Sequence, residues 1–111
     1  MQFLFTMKDS GHSGEVDPDL YTRMGEFIAE LSKAGVLVAT GGLDAGTRLR
    51  SENGELTVTD GPFAETKEAI VSFALLEVPS REEALELTKR FHEVLGDGES
   101  TMYQVFGPDT A

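Results

Sequence analysis

The sequence predicts an α+β domain on the split β-α-β plan, with an antiparallel sheet, two helices and an inserted β-hairpin. Three observations predict it. Segments with strand and helix patterns alternate as β-α-β twice along the chain. Each helical segment carries its own start and stop signals. Between the two halves, Asn53-Gly54 joins two short segments by the strongest two-residue hairpin signal in the chain.

Taken in order, residues 2–7 form a Phe-rich apolar run suited to a buried first strand. Residues 8–16 are polar, contain two glycines and read as a loop. Asp17-Pro18 then opens a helix, with Asp as N-cap, Pro at the first helical position and Asp19 in the first turn. Leu20, Met24, Phe27, Ile28 and Leu31 recur at helical spacing, so one stripe faces a core. Gly35 ends that helix as a left-handed cap, and residues 36–40 follow as a strand. Gly41-Gly42 is read as a bend or a close backbone approach.

In the hairpin, a two-residue turn puts Glu52 opposite Glu55, Arg50 opposite Thr57 and Leu49 opposite Val58. Facing glutamates suit an exposed tip, and the charged flanks suit a rim rather than a central strand. Residues 69–78 form a nearly continuous apolar strand. Ser80-Arg81-Glu82-Glu83 is a capping box for a second helix. Ala84, Leu87, Phe91 and Val94 are its buried stripe and Gly96 its end. Residues 102–106 supply the last strand. This order is the ferredoxin-like arrangement, with two helices on one face of the sheet.

The strand at 70–78 is apolar on both faces, with Ile70, Ser72, Ala74, Leu76 and Val78 on one side and Val71, Phe73 and Leu75 on the other. Two helices cover one face only. The second needs a cover the chain does not possess, and a second copy packed sheet against sheet would supply it. A homodimer is therefore expected.

Length and charge narrow the function. One domain spans residues 1–111 and should bury about two thirds of its unfolded surface. The net charge of −11 repels phosphate backbones, so nucleic-acid binding is not expected. No apolar run approaches the roughly 20 residues of a membrane span, and the opening run lacks the features of a secretory signal. With no cysteine, neither disulfides nor thiolate chemistry arise, which fits a cytoplasmic location. His12 and His92 lie far apart without ligand spacing, so no metal and no cofactor are expected. His12 reads as an exposed loop residue and His92 as surface. No serine or threonine stands by a histidine in a triad-like pattern, and no glycine-rich phosphate loop is present.

The stretch Asp60-Gly61-Pro62-Phe63-Ala64-Glu65-Thr66-Lys67-Glu68 gathers carboxylates, a cation, an aromatic ring and a rigid turn between two strands. Two readings of Asp60 stand side by side. It either caps backbone N–H groups in an Asx-type turn, or serves as a general base or substrate anchor. Phe63 is a core plug or a ligand platform. Glu65, Lys67 and Glu68 are a solvated shoulder or the lining of a pocket, with Lys67 holding a carboxylate or phenolate. In the functional reading, Asp60 and Lys67 are the catalytic pair. Gly41, Gly42, Phe63, Glu65 and Glu68 are then binding residues at the same mouth.

The same stretch, with Ala34-Gly35-Val36-Leu37, Gly41-Gly42-Leu43 and the Gly-Asp-Gly-Glu segment at 96–99, resembles the DGPF-motif branch of the YCII-related family over nearly the whole chain. The resemblance implies a dimeric α+β barrel. It also implies an association with extracytoplasmic-function sigma factors, beside which DGPF members occur. A relative in the family acts as a dehydrochlorinase on a chlorinated hydroquinone. The shorter branch carries a His and Asp pair proposed as catalytic, but the first helix here offers Tyr21 and Arg23 and no histidine, so that pair does not carry over. Three functions follow as expectations: a cofactor-independent acid–base enzyme (lyase, isomerase or dehydrohalogenase) on a small polar aromatic compound, a ligand-binding or regulatory module, and a structural homodimer.

Overall fold

The computed structural model describes residues 1–8, 18–62 and 69–108. Along the chain run β1 (Gln2–Lys8), α1 (Pro18–Lys33), β2 (Leu37–Gly42), β3 (Thr47–Glu52), β4 (Glu55–Asp60), β5 (Ile70–Glu77), α2 (Arg81–Leu95) and β6 (Ser100–Val105). Four strands form an antiparallel sheet in the order β2-β5-β1-β6, while β3 and β4 form a separate two-stranded sheet. The α+β, ferredoxin-like plan is thus the one the sequence predicts.

Side-chain alternation assigns the faces. Phe3, Phe5 and Met7 of β1 are buried beneath the helices, and their partners Leu76, Ala74 and Ser72 share that face. Phe3, Val78 and Ala84 form the buried nucleus, packed by Val36, Leu87 and Met102. From above, α1 contributes Phe27 and Leu31 to the core and α2 contributes Ala84. The helices meet through Arg90, whose guanidinium donates to Glu30 at 2.6 Å and lies 5.0 Å above the Phe27 ring.

Local signals act as their chemistry requires. The Ser80 hydroxyl accepts from the Glu83 backbone N–H at the start of α2. Gly35 has φ 74°, and the Val36 N–H returns to the Leu31 carbonyl. Asn53 and Gly54 have φ 53° and 82°, the left-handed pair of a type I′ turn. The hairpin register follows, with Glu52 opposite Glu55, Arg50 opposite Thr57 and Leu49 opposite Val58.

Gly41-Gly42 differs from the expected bend. Both residues continue β2 opposite Phe73 and Ser72, because the Leu43 N–H still finds a ladder partner in the Val71 carbonyl. The irregularity sits earlier, between Leu37 and Ala39. Beyond Gly42 the chain leaves the sheet, and the hairpin stands off as an arm. The described residues measure 47 × 43 × 19 Å, with a radius of gyration of 16.4 Å. A compact domain of this length has about 13 Å.

Candidate functional site

A cavity of about 80 Å³ lies between the helix pair and the sheet. Phe5, Met24, Phe27, Ile28 and Phe91 make its walls apolar. Their placement follows from the stripes above: β1 floors the space, while α1 and α2 roof it without closing on each other. Three polar side chains, Thr40, Ser72 and Thr88, reach its lining.

Two of these hydroxyls are already oriented. Thr40 Oγ1 donates to the Phe73 carbonyl at 2.8 Å, and Thr88 Oγ1 donates to the Ala84 carbonyl at 2.9 Å. A hydroxyl has one proton and two lone pairs. With the protons committed to backbone, both oxygens offer acceptors to anything in the cavity. The lining suits a molecule that brings its own O–H or N–H donors on an apolar body. No titratable side chain lines it among the described residues.

His92 stands behind the cavity wall. It was expected at the surface; instead it is half-buried, and its Nε2 lies 2.6 Å from Ser100 Oγ. Its ring sits edge-on to Phe91 at 5.6 Å and to Phe5 at 6.4 Å, both of them cavity residues. The bond ties the last turn of α2 to the first residue of β6. The sequence showed no triad-like pairing of a serine with His92, and the fold supplies a His92–Ser100 contact. Helical periodicity carried the signal: Ala84, Thr88 and His92 are spaced four apart, so all three share the buried stripe.

Asp60 ends β4 opposite Thr47 and is exposed. Its Oδ1 accepts from Thr47 Oγ1 at 2.9 Å. The Asx-type turn in this region belongs to Asp44, whose Oδ1 accepts from the Gly46 N–H at 2.9 Å. Gly61 closes the root of the arm, donating its N–H to the Gly46 carbonyl at 2.8 Å. Neither Asp60 nor Gly41 nor Gly42 lines the cavity, although Gly42 pairs with Ser72, which does. Phe63, Glu65, Lys67 and Glu68 lie outside the described residues, as does His12. Among the described residues no cluster of His, Asp and Glu is arranged to hold a metal. Nor is any helix long and apolar enough to cross a membrane.

Residues 1–106 match the YCII-related domain. The chain belongs to the YCII-related domain family. An uncharacterized protein of Rhizobium meliloti is 40% identical over 60 residues, 54% of this chain and 48% of that protein. The chain therefore spans about half the length of this curated relative. Among solved structures, the 5-chloro-2-hydroxyhydroquinone dehydrochlorinase of Burkholderia phenoliruptrix, in complex with 2,5-dihydroxybenzoquinone, superposes over 100% of both chains. The TM-score is 0.51 at 17% identity, so this YCII-related chain shares that enzyme's fold.

Proposed function

We propose that this YCII-related protein binds a small, planar, hydroxylated ring compound in the cavity between its helix pair and its sheet. The observation that carries the reading is the lining: aromatic and aliphatic walls, with the Thr40 and Thr88 oxygens left as acceptors. Binding sites for small molecules are typically apolar spaces with a few placed polar groups. The solved structure of the same fold is itself complexed with such a ring, 2,5-dihydroxybenzoquinone. At 80 Å³ the space is about half the ~150 Å³ of an apolar cavity that takes benzene. Entry of a ring therefore requires side chains to yield. Met7 and Met24 on the wall are the ones built to do so, being unbranched and easily rotated.

The test is calorimetry with 2,5-dihydroxybenzoquinone and chlorinated hydroquinones as probes. Ala74 lines the cavity on the helix-covered face, opposite Phe5, so Ala74→Leu adds three carbons to the space. The variant is expected to fold normally and to bind about tenfold or more weakly, a loss of about 1.4 kcal/mol. Equal affinity in wild type and variant would place the ligand elsewhere.

A second reading, acid–base catalysis on such a compound, draws on the oriented carboxylate of Asp60 at the arm root, with Lys67 as the anion holder. Gly41, Gly42, Phe63, Glu65 and Glu68 would complete that mouth. Asp60→Asn preserves an acceptor for Thr47 while removing the base. Under this reading turnover of a chlorinated hydroquinone falls about 100-fold or more with unchanged stability. Unchanged turnover removes Asp60 from the chemistry. The DGPF-branch resemblance adds a regulatory version of the first reading, in which a bound ring compound is reported to an extracytoplasmic-function sigma factor in the cytoplasm.

We further propose that the protein is a homodimer. The helix-free face carries Leu4, Thr6, Phe73, Leu75, Thr101 and Tyr103, with Tyr103 51% exposed. A 19 Å thickness is that of one sheet and one helix layer, so among the described residues no second layer covers this face.

A further inference from the structure

We infer that the β3–β4 arm is the second half of the dimer contact, its apolar stripe lying across the helix-free sheet face of the other copy. This rests on the homodimer reading and goes beyond it, since a sheet-to-sheet contact by itself leaves the arm without a role.

The arm has two unlike sides. Register places Leu49, Leu56 and Val58 on one side with Thr47, Ser51 and Asp60, and places Arg48, Arg50, Glu52, Glu55, Thr57 and Thr59 on the other. Leu49, Leu56 and Val58 are 64%, 62% and 59% exposed. Three large apolar side chains in a row on a two-stranded ribbon have no function in solvent, and an isolated hairpin of this kind is marginal in water. The arm's own sheet cannot receive them, because β3 and β4 pair only with each other and leave the body at Gly42–Thr47.

Dimensions and charge select the occupant. Six residues at about 3.4 Å each make the arm about 20 Å long, and four strands about 4.8 Å apart make a sheet face about 15–19 Å wide. The arm therefore spans the width of the face. The chain carries a net charge of −11, so two copies repel wherever their charges meet. The six residues named on the open face include no charged side chain, Glu77 at its margin is paired with the Met1 amino group at 3.3 Å, and the arm's apolar side carries one carboxylate, Asp60, at its root. These two surfaces can approach without like-charge cost. An acidic chain whose face and arm carry charge only at the margin, at Glu77 and at Asp60, fits a second copy of itself.

The exposure of the arm residues makes the test clean, because changing them does not disturb the core of one chain. Leu49→Asp with Val58→Asp is expected to raise the dimer dissociation constant about 100-fold or more in sedimentation, with the circular dichroism of the chain unchanged. Thr57→Asp, on the opposite side of the same arm, is the control and should leave dissociation within about threefold. The chain has no cysteine, so engineered thiols report directly. Val58→Cys chains mixed with Thr101→Cys chains should form a mixed disulfide under mild oxidation. A wild-type dimer insensitive to the arm charges, or cross-linking only between two Val58→Cys chains, overturns the arm contact while leaving the sheet-face dimer standing. A wild-type monomer at micromolar concentration overturns both.

Discussion

Phe3→Ala is expected to destabilise the protein by about 3–5 kcal/mol, the largest effect of any single truncation in this fold. Phe3 is 0% exposed, and no other large side chain among the described residues is as completely enclosed. It stands in the second position of a central strand, between Leu76 on β5 and Gln104 on β6. Val78 and Ala84 close over it, and Val36, Leu87 and Met102 fill the rim. Removing the ring leaves a void between elements held from both sides by the ladder, so the walls cannot collapse into it. Domains of this size have about 5–15 kcal/mol in total, and the variant should therefore lie close to its unfolding midpoint at 25 °C. Phe106, 65% exposed beyond β6, provides the contrast: Phe106→Ala should cost no more than about 0.5 kcal/mol. Urea unfolding of the two variants measures the difference. Comparable losses would mean that the Phe3 cluster is not the nucleus of the core.

What the sequence disclosed and what it withheld divide along physical lines. Hairpin register was legible because Asn53-Gly54 admits few turns and a period of two fixes every pair from the turn outward. The helices were legible because caps and stripes are local. Ser80 and Glu83 are three residues apart, and Phe27 and Leu31 four. Detachment of the arm from the main sheet was only partly legible. Charged flanks indicated a rim, but separation depends on where β2 stops pairing, and Gly41-Gly42 looked like a bend when it is the end of a strand. The cavity was not legible at all. It exists because two helices meet at Glu30–Arg90 while their inner faces stand apart over Ser72 and Ala74, a spacing that no one segment encodes. His92 and Ser100 illustrate the same limit: eight residues apart, they meet only because α2 ends where β6 begins. Six of the nine residues of the Asp60–Glu68 stretch lie beyond the described residues, so the structure addresses its first three and leaves Lys67 to experiment.

Of those three, Gly61 has the clearest physical requirement, and Gly61→Ala is expected to open the root of the arm. A Cβ at this position would lie 2.5 Å from the Ala45 carbonyl oxygen and 3.1 Å from its carbon. Real Cβ atoms do not approach backbone oxygen that closely, and the obstacle is main chain, which cannot rotate away. The Gly61 N–H to Gly46 carbonyl bond, 2.8 Å, sits beside the clash and would be the first to break. Overpacking of this order costs about 1–3 kcal/mol. Because the arm pairs only with itself, the cost should appear as local opening rather than global unfolding. Amide exchange should accelerate about tenfold or more at residues 47–60, while β1 and β5 stay as protected as in wild type. Gly42→Ala is the matched control, since a Cβ there meets the Val71 carbonyl oxygen at an ordinary 3.8 Å. If both substitutions leave exchange through the arm unchanged, the close approach at Ala45 does not hold the root. The glycine of the Asp60-Gly61-Pro62 motif would then owe its place to the chemistry of the segment that follows.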